Sequence, residues 1–176
     1  VTLGNNISGA GSLVQQGAGT TVLTGSSNYT GGTAVNNGTL LVGNAAQTGS
    51  IAGNVQVNNT GTLGGTGSIG GNVAVNSGAT LALGSAPSTL TIGGDLTLRQ
   101  GASSVFQLGQ AGVTPSSRND LVNVGGNLTL GGGLTATAAA AGWYRLFNYG
   151  QSNSAATLSG SFDTASSHVN FLTPGM

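Results

Sequence analysis

The stretch Val75–Gly84, VNSGATLALG, sets an apolar residue, two polar ones and a glycine ahead of a second, alternating apolar run. The chain repeats this order in LVQQGAGTTVLTG from Leu13, AVNNGTLLVG from Ala34, VQVNNTGTLGG from Val55 and LRQGASSVFQLG from Leu98. Aligning the polar residue after the first apolar run puts Gln15, Asn36, Asn58, Asn76 and Arg99 in register, at spacings of 21, 22, 18 and 23 residues. Gly131, in LTLGGGLTATA, follows after 32 more. The excess falls on GQAGVTPSSRN (109–119), an aperiodic, proline-containing stretch that reads as an inserted loop. A second register supports the first: GGNVAV (70–75), GGDLTL (93–98) and GGNLTL (125–130) set Asn72, Asp95 and Asn127 at one structural position.

Within each unit the apolar residues alternate, as in Val73/Val75, Leu81/Leu83, Leu96/Leu98 and Leu128/Leu130, which is the period of a strand with one buried face. The helix formers Glu and Lys are absent, and Ala-Leu runs nearly so. Each unit therefore reads as two or three short strands joined by Gly/Asn corners, where positive φ costs little. A lone unit of about 20 residues buries too few aliphatics, at roughly 1.5–3 kcal/mol each, to offset about 1–2 kcal/mol of backbone entropy per residue. Stacked units share one core, and each strand pairs with those above and below at about 4.8 Å. The expectation is an all-β parallel β-helix, a solenoid of roughly seven or eight coils on the order of 35–40 Å long. Asn at equivalent corners is expected to form a hydrogen-bonded ladder.

The composition narrows function. With 34 Gly, 3% charged residues and 38% hydrophobic residues, the chain is poor in charge but too regularly apolar to be a linker. Arg99, Arg118 and Arg145 balance Asp95, Asp120 and Asp163, so no basic stripe exists to meet a phosphate backbone, and nucleic acid is not an expected partner. No apolar run approaches the roughly 20 residues of a spanning helix, so no membrane insertion of this segment is expected. The absence of Cys excludes a disulfide scaffold and thiolate metal sites. The chain begins within a repeat without a charged-then-apolar leader, so an export signal is expected outside it.

Residues 7–44, ISGAGSLVQQGAGTTVLTGSSNYTGGTAVNNGTLLVGN, resemble the autotransporter-associated β-strand repeat of type V secreted passenger domains in Gram-negative bacteria. The resemblance rests on Gly9, Gly11 and Leu13, on Gly17, Gly19 and Thr20, on the Asn-Tyr-Thr-Gly-Gly-Thr block Asn28 to Thr33, and on Gly38 to Leu40. STLTIGGDLTL, RNDLVNVGGNLTLGGGLTAT and GWYRLFNYGQ look like the last part of such passengers. The resemblance implies a right-handed parallel β-helix with a C-terminal capping region, at the cell surface, anchored to the outer membrane or secreted. It further implies adhesion, aggregation or another virulence role, and final coils that act as a folding seed, or autochaperone. Implied partners are the protein's own translocating β-barrel, a host-cell surface or extracellular-matrix protein, and other copies of the rod. With NFLTPGM at the end and no helical linker or barrel, the chain reads as a passenger segment.

The expected organisation is one continuous domain: coils over 1–108, the loop 109–119, and terminal coils with a cap over 120–176. Of the aromatics only Tyr29 precedes residue 105, and the rest, including Phe106, Phe162 and Phe171, follow it. Large rings supply the most burial per ordered residue, so GWYRLFNYG, with Trp143, Tyr144, Leu146, Phe147 and Tyr149, is expected as a strand or hairpin that seeds folding and covers the open sheet edge.

Candidate sites are few. The loop residues Thr114, Pro115, Ser116, Ser117, Arg118 and Asn119 are expected as a binding loop on a rigid scaffold. Asp95, Arg99, Arg118 and Asp120 are the only groups that a polysaccharide lyase or hydrolase would have to work with, and convergence of Asp95, Arg99 and Asp120 in a groove would mark one. The corner position shared with Asn72 and Asn127 explains Asp95 without chemistry. GTGSIG (65–70) matches a phosphate-cradling fingerprint but is followed by a strand pattern, not a helix. His168 has no second ligand at metal spacing, and no catalytic residue, cofactor or metal is expected. The Asn-x-Ser/Thr sites at Asn6, Asn28, Asn37, Asn58 and Asn127 read as corners. The Thr89/Thr91 and Thr135/Thr137 pairs do not recur at the coil period, as an ice-binding face would require.

Overall fold

The computed structural model describes residues 1–46, 48–112 and 118–165, with the backbone of 168–171. Its described secondary structure consists of short strands in three sheets. Sheet I has eight strands, from Thr2–Leu3 to His168–Phe171; sheet II has seven, from Leu13–Gln15 to Leu158–Gly160; sheet III has six, from Ser26–Ser27 to Phe147–Asn148. Every pairing between these strands is parallel.

From Ser26 onward the chain visits sheet III, then II, then I, and climbs one level per circuit. The coil containing the opening stretch runs Ser68–Ile69, Val73–Val75, Thr80–Ala82. VNSGATLALG is thus the end of one strand, a corner and the next strand. Gly78 turns that corner at φ 81°, and in the coil below Asn59 serves at φ 49°, a conformation that Gly and Asn enter at least cost. The fold is a right-handed parallel β-helix, the hand that crossovers between parallel strands of one sheet take.

The alternation places one aliphatic row from each sheet inside. Val35, Val57 and Val75 stack in sheet II, Leu40, Leu63 and Leu81 in sheet I, and Ile51, Ile69 and Ile92 in sheet III, each at most 1% exposed. Outward residues are small and polar, as in the sheet III row Ser26, Ser50, Ser68, Thr91, Asn123, Asn148.

The register corrects one alignment. Gln15 pairs with Val35, so Gln16, not Gln15, is the equivalent of Asn36. The Gln15–Gln16 doublet offers two polar residues where later coils give a clear strand end, and a one-residue choice is not visible in the pattern. At the other end the 32-residue step holds: Leu96 pairs with Leu128 and Thr97 with Thr129.

Candidate functional site

The Gly-Gly-Asn motif forms the corner between sheets III and II, where it joins coil to coil. The side-chain Oδ1 of Asn54 accepts the backbone N–H of Asn72 at 2.8 Å, and Asn72 Oδ1 accepts that of Asp95 at 2.9 Å. Asp95 Oδ1 then accepts the N–H of Asn127 at 2.7 Å, and Asn127 Oδ1 that of Thr157 at 2.8 Å. Both glycines follow from this geometry. A Cβ on Gly71, Gly94 or Gly126 would lie 2.4, 2.1 or 2.2 Å from the acceptor oxygen below it, and one on Gly70, Gly93 or Gly125 would lie 2.9, 2.8 or 2.1 Å from a carbonyl oxygen of the lower coil. Asn72, Asp95 and Asn127 hold one position, as their register predicts. Asn54 belongs with them but was hidden, because Ala52 stands where the later motifs have their first glycine. Asp95 does here what Asn does: one oxygen accepts one N–H.

The corner between sheets II and I carries the expected amide ladder, with Asn58 Nδ2 donating to Asn36 Oδ1 at 2.9 Å and Asn76 Nδ2 to Asn58 Oδ1 at 2.6 Å. Asn6, Asn37, Asn58 and Asn127, four of the Asn-x-Ser/Thr positions, use their side-chain oxygens on corner hydrogen bonds. GTGSIG leads into Ser68–Ile69 and then Val73–Val75, so it is a corner and strand with no helix to follow. Thr135 pairs with Val105 and Thr137 with Gln107, so no Thr array forms there.

The Asn-Tyr-Thr-Gly-Gly-Thr block has its own logic. Tyr29 is 2% exposed, and its hydroxyl hydrogen-bonds Thr33 Oγ1. Thr33 occupies the inward row that Val55, Val73 and Leu96 fill in later coils. Burial raises the Tyr29 pKa, with the Thr33 hydrogen bond acting against it. A polar residue stands in an aliphatic row because the phenol beside it requires a partner.

The inserted loop leaves after Ser103–Leu108 and rejoins before Leu121–Val124, where Leu108 and Asn119 form an antiparallel bridge. Thr114, Pro115, Ser116 and Ser117 lie outside the described residues. Arg118 is exposed. Asn119 is buried: its Oδ1 accepts the N–H groups of Gly109 and Gln110, both at 2.8 Å, and its Nδ2 donates to Gln110 O at 2.7 Å. Asp120 is fully buried beside it, accepting Ser88 N–H at 2.8 Å on Oδ1 and Gln107 N–H at 2.7 Å on Oδ2. Burial pushes its carboxyl up to about 6, against the pull of the hydrogen bonds to Gln107 and Ser88. These two residues close the loop from within, and burial, which composition does not reveal, sets their role.

The charged residues of the enzyme alternative are spread around the solenoid. Asp95 sits between Thr89–Ile92 and Leu96–Leu98, and Arg99 between Leu96–Leu98 and Ser103–Leu108. Asp120 and Arg118 precede Leu121–Val124. These are the three different corners of a three-sheet coil, and the convergent groove that an acid/base pair needs is not formed by Asp95, Arg99 and Asp120. No group of three or more His, Cys, Asp or Glu close enough to hold a metal ion occurs among the described residues. His168 starts the last strand of sheet I, paired with Thr135, and its side chain lies outside the described residues. No described helix is long and apolar enough to cross a membrane.

In GWYRLFNYG, Phe147–Asn148 forms the terminal strand of sheet III, paired with Val122 and Asn123. Tyr144, Leu146 and Phe147 pack on the core. Phe147 lies edge-on to Phe106 at 5.2 Å and 6.2 Å from Phe162, so the rings of three segments form one cluster. Trp143 is 61% exposed and Tyr149 42%. The largest fully buried side chains, from Leu23 to Phe106, all precede the inserted loop.

The solenoid is thus a repeat rod held by corner ladders, with Asp95, Arg99 and Asp120 dispersed over its three corners. Comparison with known proteins gives the family. Residues 13–42 match the model of the passenger-associated-transport-repeat, the segment containing the Tyr29–Thr33 pair. The chain is also 45% identical over 179 residues to the adhesin BmaC autotransporter of Brucella suis biovar 1 (strain 1330), an alignment covering 84% of this chain and 4% of that protein. These matches place the chain among the repeat-bearing passenger domains of autotransporters. It spans only a small fraction of its relative's length.

Proposed function

We propose that the chain is a non-enzymatic passenger segment of a surface-exposed or outer-membrane-associated Gram-negative autotransporter, working as a β-helical stalk that takes part in adhesion to host cells or matrix. The observation that carries this reading is the dispersion of Asp95, Arg99 and Asp120 over three corners, in a chain 45% identical to part of an adhesin. The loop 109–119 is the proposed contact element, since it is inserted between two sheet strands on a base closed by Asn119 and Asp120. Proposed partners are a host-cell surface or matrix protein, and the protein's own translocating β-barrel during export. Binding of the purified chain to host cells and matrix proteins, beside a version lacking 109–119, tests the reading. Binding that disappears with the loop supports it. A chain that never binds, while a longer passenger does, reduces this segment to a spacer.

We infer further that the last coils seed folding. The support is the Phe106–Phe147–Phe162 cluster with Tyr144 and Leu146, which joins strands distant in sequence through large rings. Hydrogen exchange in which the coils after residue 120 open before the N-terminal ones would sink the idea. The uncharged sheet III row, Ser26 to Asn148, favours self-association as a second reading, because it lacks the repulsion that keeps surfaces apart. Sedimentation at several concentrations decides it, and a strictly monomeric result counts against it.

A further inference from the structure

The corner between sheets II and I changes character beyond Asn76. The amide ladder of Asn36, Asn58 and Asn76 stops there, because the next residues in the row are Arg99, Gly131 and Ser161, which follow Leu98, Leu130 and Gly160 in register. A groove of about 700 Å3 opens across these coils, lined by Thr97, Arg99, Gln100, Thr129, Phe162 and Asp163. That is within the size range of small-ligand sites, about 300–1,000 Å3. Its floor is backbone. A Cβ on Gly131 would lie 2.6 Å from Leu98 O and one on Gly132 2.1 Å from Ala102 O, so no side chain can fill the depression from below.

The chemistry on offer selects the ligand. Main-chain N–H groups at and beside the groove are already paired: Arg99 N with Val75 O at 2.9 Å, Gly133 N with Ala102 O at 2.8 Å, and Asp163 N with Gly132 O at 2.7 Å. These three are closed to an extended peptide, so side chains carry the recognition. The polar side chains that line the groove are the Thr97 and Thr129 hydroxyls, the Gln100 amide, the Arg99 guanidinium and the Asp163 carboxylate. Thr129 Oγ1 lies 3.1 Å from Ser159 Oγ, and Asp163 Oδ1 accepts the N–H of Ala165 at 3.0 Å, which orients both groups. One cation and one anion leave the groove without net charge. Phe162, half-buried and held against Phe147, is the apolar part of the lining. The lining crosses three coils, a span of about 10 Å that about two pyranose rings would fill. A ligand with hydroxyls on its edge, C–H groups on its face and no charge fits this set.

We propose that this groove is a binding site for neutral oligosaccharides. The site stands on its own geometry and not on the adhesin reading, so sugar binding and cell adhesion succeed or fail separately. The test is saturation-transfer NMR on the whole chain with maltotriose, cellotriose and triacetylchitotriose, beside a sulfated heparin disaccharide and a Ser/Thr-rich peptide. Expected is saturation of at least one neutral trisaccharide, with a Kd on the order of millimolar. Arg99→Ala and Gln100→Ala, both at exposed positions, weaken it by about tenfold each, while Arg145→Ala, outside the groove, leaves it unchanged. No transfer to any neutral sugar, equal binding by the Arg99 and Gln100 variants, or preference for the sulfated sugar or the peptide overturns the proposal.

Discussion

Asp120→Asn is the substitution in which the reasoning about the loop base is most exposed to measurement. The carboxylate is fully buried, holds Ser88 N–H and Gln107 N–H on separate oxygens, and has its pKa pushed up to about 6 by burial. In the unfolded chain it titrates near 3.8. Between these values the folded state binds more protons than the unfolded one, so stability rises as pH falls through about 6 and levels off below about 4. The gain is up to about 3 kcal/mol, from 1.36 kcal/mol per pH unit. In the Asn variant one oxygen still accepts a backbone N–H, but an NH2 group faces the other donor, which costs about 1–3 kcal/mol. Relief of the buried charge offsets that loss at neutral pH and not in acid. Urea midpoints of the two proteins are therefore expected within about 1 kcal/mol of each other at pH 7, with the native chain ahead by about 2 kcal/mol at pH 4.5. The chain has only three acidic residues and one His, and the other titrating groups are common to both proteins, so the difference isolates Asp120. Parallel pH profiles for the two proteins would refute the account.

Ser104 is fully buried in the sheet I row after Leu63 and Leu81, and its hydroxyl has no hydrogen-bond partner among the described residues. Ser104→Ala is accordingly expected to raise stability by about 1 kcal/mol in equilibrium unfolding, and a loss would show that the hydroxyl is used. Tyr29→Phe, which orphans Thr33 Oγ1, is expected to cost about 1–2 kcal/mol. Tyr29→Phe with Thr33→Val should recover most of this, and a double-mutant cycle with no coupling rejects the pair. Gly94→Ala forces a methyl group onto Asn72 Oδ1 and should cost about 2–4 kcal/mol; Gly94→Ala in an Asn72→Ala background should cost distinctly less.

Much of the fold was legible because the solenoid makes each coil solve the same problem. The alternation of Val73/Val75 and Leu96/Leu98 names inward residues directly, and the recurrence of Gly-Gly-Asn/Asp names a corner whose every atom is constrained by the coil beneath. Legibility fails where a coil departs from its neighbours. The Gln15–Gln16 doublet hid a one-residue slip, and Ala52 hid Asn54. Charge was a poor guide to the site: Asp95 and Asp120 look alike in sequence, yet one replaces an Asn at a half-buried corner and the other lies fully buried at a loop base. Burial is a property of the third dimension that local pattern cannot supply. The groove past Asn76 was half legible, since the alignment already set Arg99 and Gly131 in the Asn row, while the place of Ser161 and the depression itself came only with the register.

The corner ladders have a mechanical consequence. Along the axis, coil is joined to coil by backbone bonds and by side-chain oxygens and amides, with Asp95 the one ionisable group among these six side-chain links. Hydrogen bonds between neutral groups are not screened by dissolved ions as exposed charge pairs are. The bending stiffness of such a filament should thus be nearly indifferent to ionic strength, the same in dilute surface water as in serum.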